Sequence, residues 1–90
     1  MPDKFRREII HEHEFEEQLE RLLVNMEEAD EFMASAEDLL SYEPTAGRLA
    51  SEEFGLWSLA MFPIRGKTVT LYYSFDERTV TLVSIIAFDE

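Results

Sequence analysis

Residues able to do chemistry gather at a few places along this chain. His11-Glu12-His13 sets two imidazoles two residues apart, on one side of a strand, where Zn²⁺ or Ni²⁺ could bind if a third ligand came from elsewhere. The plainer reading is a strand end running into a helix whose first turn is favoured by the neighbouring glutamates, and an HxH pair alone assigns no metal. Arg65, Lys67 and Arg78 fall at two expected turns, with Arg48 in the loop before them, so they could form a small basic rim. Exposed turn residues are charged in any case. Trp57, Tyr72, Tyr73 and Phe75 could stack nucleobases, but no Lys or Arg is interleaved with them, which favours packing among themselves. The many carboxylates lie on expected helix exteriors, where no pocket pairs them for acid-base work. There is no glycine-rich phosphate loop, serine elbow or P-loop spacing, and with no cysteine there is no thiol chemistry. No cofactor is implied.

Two kinds of element must position these groups. Phe15, Leu19, Leu22, Met26, Ala29, Met33, Ala36 and Leu40 recur by fours and threes, widened by Leu23, Phe32 and Leu39, which is the stripe of an amphipathic helical region. It reads as one long helix or as a helical hairpin breaking between Val24 and Asp30. Asn25 followed by Glu28 resembles a capping box and favours the hairpin. Pro44 biases Glu43 away from helix and Gly47 supplies turn freedom, so the helical period ends after Ser41.

Beyond Leu56 the chain is rich in β-branched and aromatic residues and reads as strands over 56–62, 67–75 and 79–88. Short connections make these a three-stranded antiparallel meander with the helices on one face. A three-residue turn at 76–78 would set Tyr73 opposite Thr81, Leu71 opposite Val83 and Val69 opposite Ile85. The other face would then carry Thr70, Tyr72, Ser74, Leu82 and Ser84, and that mixed face is where binding is expected. A further strand is expected over 5–11. The fold class is therefore α+β: an N-terminal strand, a helical hairpin, then the meander, as a single domain over residues 1–90.

Eight Lys and Arg against twenty Asp and Glu give a net charge of −12. Residues 1–45 hold four cations and fourteen acids, net −10, and residues 46–90 hold four and six, net −2. Such a field repels phosphate backbones and anionic membranes from the N-terminal half. The charge-dense first twenty residues contain no signal-peptide core, and no run of eighteen apolar residues occurs, so a cytoplasmic location without membrane contact is expected.

The string Leu39-Leu40-Ser41-Tyr42-Glu43-Pro44-Thr45-Ala46-Gly47, then Gly55-Leu56-Trp57, then Gly66 through Asp76 and a closing Val80 to Ile86, resembles the RelE/ParE toxin superfamily. The order strand, helical hairpin, meander is similar as well. The resemblance implies a component of a bacterial type II toxin-antitoxin (plasmid stabilisation) module, neutralised by a cognate antitoxin that wraps it. RelE-like members cleave mRNA on the ribosome without a metal, whereas ParE-like members target DNA gyrase. Metal-free cleavage needs cations to stabilise the charge on phosphorus and a group to activate the 2′-hydroxyl. On this resemblance the catalytic candidates are Tyr73, which matches the family's strand tyrosine, with Arg65, Lys67 and Arg78 supplying charge. Where the family carries arginines this chain has Ser58 and Ala60, where a basic residue precedes the tyrosine it has Thr70, and at its end stand Phe88 and Glu90.

These departures remove the charge that cleavage needs. The expected function is thus a toxin-like, acidic protein that acts by binding a protein partner through a basic or apolar segment. A ribosome-dependent endoribonuclease with a divergent site is the alternative. A third reading is an acidic interaction module whose glutamate-lined helices occupy a basic site. Self-association into a homodimer is left open.

Overall fold

The computed structural model describes residues 6–25, 29–60 and 67–89. Strand β1 (Glu8–His11) leads directly into helix α1 (His13–Asn25), followed by α2 (Ala29–Tyr42) and a 3₁₀ turn (Pro44–Ala46). Four strands follow: β2 (Arg48–Ser51), β3 (Leu56–Ala60), β4 (Lys67–Phe75) and β5 (Thr79–Asp89). They form one five-stranded sheet in the order β1-β5-β4-β3-β2. The pairs from β2 to β5 are antiparallel, while β1 lies parallel to β5, so the sheet is mixed.

The apolar stripe read from the sequence supplies the packing face of both helices through Phe15, Leu19, Leu22, Phe32, Met33, Ala36 and Leu40, whereas Leu39 is exposed. Phe15, Met33, Ala36 and Leu40 are buried against Val69, Leu71 and Tyr73 of β4 and Val80, Leu82 and Ile85 of β5. Each of the larger aliphatic and phenyl side chains among these contributes about 1.5–3 kcal/mol on leaving water. The acids of α1 and α2 lie mainly off this face. Two helices are present, not one, and the expected Asn25–Glu28 cap falls largely outside the described residues.

Three expectations are corrected. Arg48 to Ser51, read as loop, is the edge strand β2, so the meander has four strands and, with β1, the sheet has five. The register of β4 on β5 differs: Tyr73 faces Leu82, Leu71 faces Ile85 and Val69 faces Ala87. An irregularity at Tyr72/Tyr73 leaves Val83 as an extra residue, a β-bulge that shifts all later pairs. Leu82, expected on the open face, faces Tyr73 and is fully buried under the helices because the turn leaves four residues, 76–79, between the paired Phe75 and Val80; the bulge then returns Ile85 to the same buried face. Gly47 does not sit at a left-handed backbone angle, as its φ is −83°. It is required for space: a Cβ there would lie 2.3 Å from the Ser58 carbonyl oxygen and 2.6 Å from the Tyr73 hydroxyl. The start of the first expected strand, at Phe5, and the end of the second, at Met61 and Phe62, lie outside the described residues.

Candidate functional site

Tyr73 is placed by β4 on the helix-covered face, as the apolar register required, and it is fully buried. Its hydroxyl donates to the Pro44 carbonyl at 2.6 Å and accepts from the Gly47 N–H at 3.1 Å. Burial pushes the phenol pKa upward, and the Gly47 hydrogen bond partly offsets this. Tyr73 therefore holds the 3₁₀ turn and the start of β2 down on the sheet, and its hydroxyl is not exposed to a substrate.

The nominated cations do not converge on it. Lys67 begins β4 and Arg78 lies in the turn after β4 ends. Nine residues of strand separate them by roughly 26 Å. Arg78 is exposed, and its backbone N–H is used in the turn, donating to Asp76 Oδ1 at 2.8 Å. Arg48 stands on β2 opposite Ser58, at the far edge of the sheet. Arg65 lies outside the described residues.

A different cationic group is assembled at the β4–β5 turn. The parallel placement of β1 brings Arg6 and Arg7 to the end where Arg78 stands: Glu8 N–H donates to the Arg78 carbonyl at 2.9 Å and Arg7 N–H to the Ser41 carbonyl at 2.7 Å. Arg7 Nε donates to the Asp76 carbonyl at 2.7 Å, with its guanidinium 5.9 Å from the Phe75 ring centroid. Arg6 reaches Asp38 at 3.8 Å and lies 5.5 Å from the Tyr42 ring centroid. Helix α2 has no basic residue in its own last turn, and Arg6, beside Tyr42, supplies positive charge of the kind its C-terminus favours. Sequence reading missed them because only the long-range β1–β5 pairing brings them here.

The histidine pair divides between two elements. His11, the last residue of β1, has Nε2 3.1 Å from Glu37 Oε2 and Nδ1 3.7 Å from Glu16 Oε2, with the Phe15 ring 5.0 Å away. His13 opens α1, is exposed, and contacts Glu17 at 2.7 Å. Among the described residues no group of three His, Cys, Asp or Glu is arranged to hold a metal ion.

The aromatic residues also separate. Trp57, Tyr73 and Phe75 pack on one another on the helix side, with ring centroids 5.3 Å apart for Trp57–Phe75 and 6.4 Å for Tyr73–Phe75. Tyr72 lies on the opposite face with Thr70 and Ser74, all half-buried. That open face gains Ile10, Ile86 and Phe88, which are exposed.

One edge of the sheet is incomplete. Strand β1 pairs with β5 over Thr79 to Leu82 and ends there, with Glu12 N–H donating to the Leu82 carbonyl at 3.0 Å. Beyond the bulge, Gln18 of α1 replaces the missing strand: its Oε1 accepts from Ile85 N–H and from Ser84 Oγ, both at 2.9 Å. From Ile85 onward, among the described residues, no strand pairs along this edge. A shallow groove runs there between α1 and β5, lined by Gln18, Arg21, Leu22, Ile85, Ile86 and Ala87. Gln18 carried no sequence signal, since one amide in a helix flanked by glutamates reads as surface.

Among the described residues no helix is long and apolar enough to cross a membrane. Compared with protein-family models and with curated proteins, the chain matches none.

Proposed function

We propose that this chain is the toxin-like component of a bacterial type II toxin-antitoxin module and that it acts by binding a protein partner, not by cleaving mRNA. The resemblance in Leu39 to Gly47, Gly66 to Asp76 and Val80 to Ile86 motivates the first half of this reading. The order of strand, two helices and antiparallel strands is in keeping with it.

One observation carries the second half. Lys67 and Arg78 stand at opposite ends of β4 and the Tyr73 hydroxyl is sealed between Pro44 and Gly47. Cleavage of a phosphodiester without a metal needs cations and a proton acceptor within hydrogen-bond reach of one phosphate. These residues do not supply that arrangement, whereas the acidic exteriors of α1 and α2 suit a basic segment of a protein partner.

Co-expression with the product of the adjacent reading frame tests the proposal. The expected result is a complex of defined stoichiometry. Separate elution of the two chains at all ionic strengths would contradict it.

A further inference from the structure

We infer that the open edge of β5 is a self-pairing surface, on which a second copy of this chain adds its own β5 antiparallel about a two-fold axis at Ala87. This inference is independent of the toxin-antitoxin reading.

Ile85 directs its N–H away from β4 to Gln18, so in the period of a strand Ala87 presents its N–H and carbonyl to the same open edge. Two Ala87 residues facing each other across a two-fold would exchange both hydrogen bonds, and alanine offers no bulk to hold the strands apart. The same register sets Ile86 of one copy opposite Phe88 of the other, twice. These are the large apolar side chains that β5 leaves exposed, at 39% and 48%. A self-complementary pairing of this kind is what an isologous contact requires.

Most of the net charge of −12 lies in the N-terminal half, and the groove beside this edge is lined by Arg21, 3.7 Å from Glu17, and, among the described residues, by no carboxylate; the register does set Asp89 of each copy opposite Ile85 of the other. Gln18 limits the contact by occupying Ile85 N–H, which confines pairing to the last residues of the strand. The interface is therefore small, below about 1,200 Å², the size of weak and reversible associations. Long-range repulsion between the acidic helices is screened by salt, so dimerisation strengthens as ionic strength rises.

Sedimentation equilibrium of the full chain, over a concentration series reaching about 1 mM at low and high salt, tests this. The expected result is an average mass rising from one chain toward two, more steeply in high salt. Ile86→Lys removes the contact with Phe88 while lowering the net negative charge, so electrostatics alone would favour association. It should instead weaken the dimer by about tenfold or more. Ala87→Pro removes the donor at the two-fold but leaves the β4 ladder intact, and should act in the same direction. Far-UV circular dichroism verifies the fold of each variant; if Ala87→Pro unfolds, Ile86→Lys decides. A monomer at every concentration and salt would overturn the proposal and leave the edge to a different partner. A dimer unaffected by Ile86→Lys would overturn it as well.

Discussion

The Tyr73 hydroxyl and the Pro44 carbonyl, twenty-nine residues apart, meet at 2.6 Å in the interior. This bond closes the path from the end of α2 to the edge of the sheet, and the Gly47 N–H completes it from the other side. Tyr73→Phe leaves a carbonyl and an N–H without their partner, so it should cost about 1–3 kcal/mol, read by urea unfolding. An unchanged midpoint would show that the phenol is dispensable to the fold.

The same residue makes the protein sensitive to alkali. Its pKa is raised in the folded state, so the folded chain holds this proton more tightly than the unfolded chain. The stabilisation is complete below the ordinary phenol value of 10.0 and is lost as pH rises from there through the folded value. Thermal unfolding of wild type and Tyr73→Phe above pH 10 should converge; curves that stay parallel would contradict this.

Gly47 and Gly55 should respond differently to alanine. A Cβ at Gly47 meets the Ser58 carbonyl and the Tyr73 hydroxyl, so Gly47→Ala must move backbone and should cost about 1–3 kcal/mol. At Gly55 there is open space but φ is +61°, so Gly55→Ala should cost about 1 kcal/mol from backbone strain alone. Combining Gly47→Ala with Tyr73→Phe should cost less than the sum of the two, because the phenyl ring removes the oxygen that the methyl group meets.

Asp76 orders the β4–β5 turn. Its Oδ1 accepts from the backbone N–H groups of Arg78 and Thr79, both at 2.8 Å, and from the Thr79 hydroxyl at 3.0 Å. These bonds, led by that from Arg78, lower its pKa below 3.8. The stabilisation is present above that value and is lost as pH falls through the lower, folded value. Asp76→Ala should lower Tm at pH 6 and narrow its gap to wild type below pH 3; a gap independent of pH would refute the assignment.

Gln18 is predicted to protect one amide. Gln18→Leu leaves the Ile85 N–H unpaired, which should cost about 1–3 kcal/mol and speed hydrogen exchange at Ile85 well before the β4-paired amides of β5. Equal protection in both proteins would show that another group takes the bond.

The helix stripe and the long strands were legible because their side chains alternate or recur with a clear period: Phe15 to Leu40 for the helices, Val69-Leu71-Tyr73 for β4. Strand β2 was not, since Arg48-Leu49-Ala50-Ser51 is four residues on an edge, with Arg48, Leu49 and Ala50 exposed and no buried face to impose alternation. The bulge was hidden because Leu82-Val83 places two apolar residues in succession and either could face the core. Apolar alternation placed Tyr73 inside, while the family resemblance offered it as a catalytic group; the buried hydroxyl follows the alternation. The meeting of Arg6 and Arg7 with the Asp76 turn depends on β1 joining the far side of β5, a long-range pairing that no local pattern encodes.

The central claim is that this chain binds and does not cleave. Inducible expression in a bacterial host, following incorporation of labelled amino acid into protein, tests it most directly, with an Arg65→Ala/Lys67→Ala variant alongside. We predict that translation continues at confirmed expression in both cultures. Arrest of translation by the wild-type chain, with mRNA cut on the ribosome and relief by the double variant, would contradict the account.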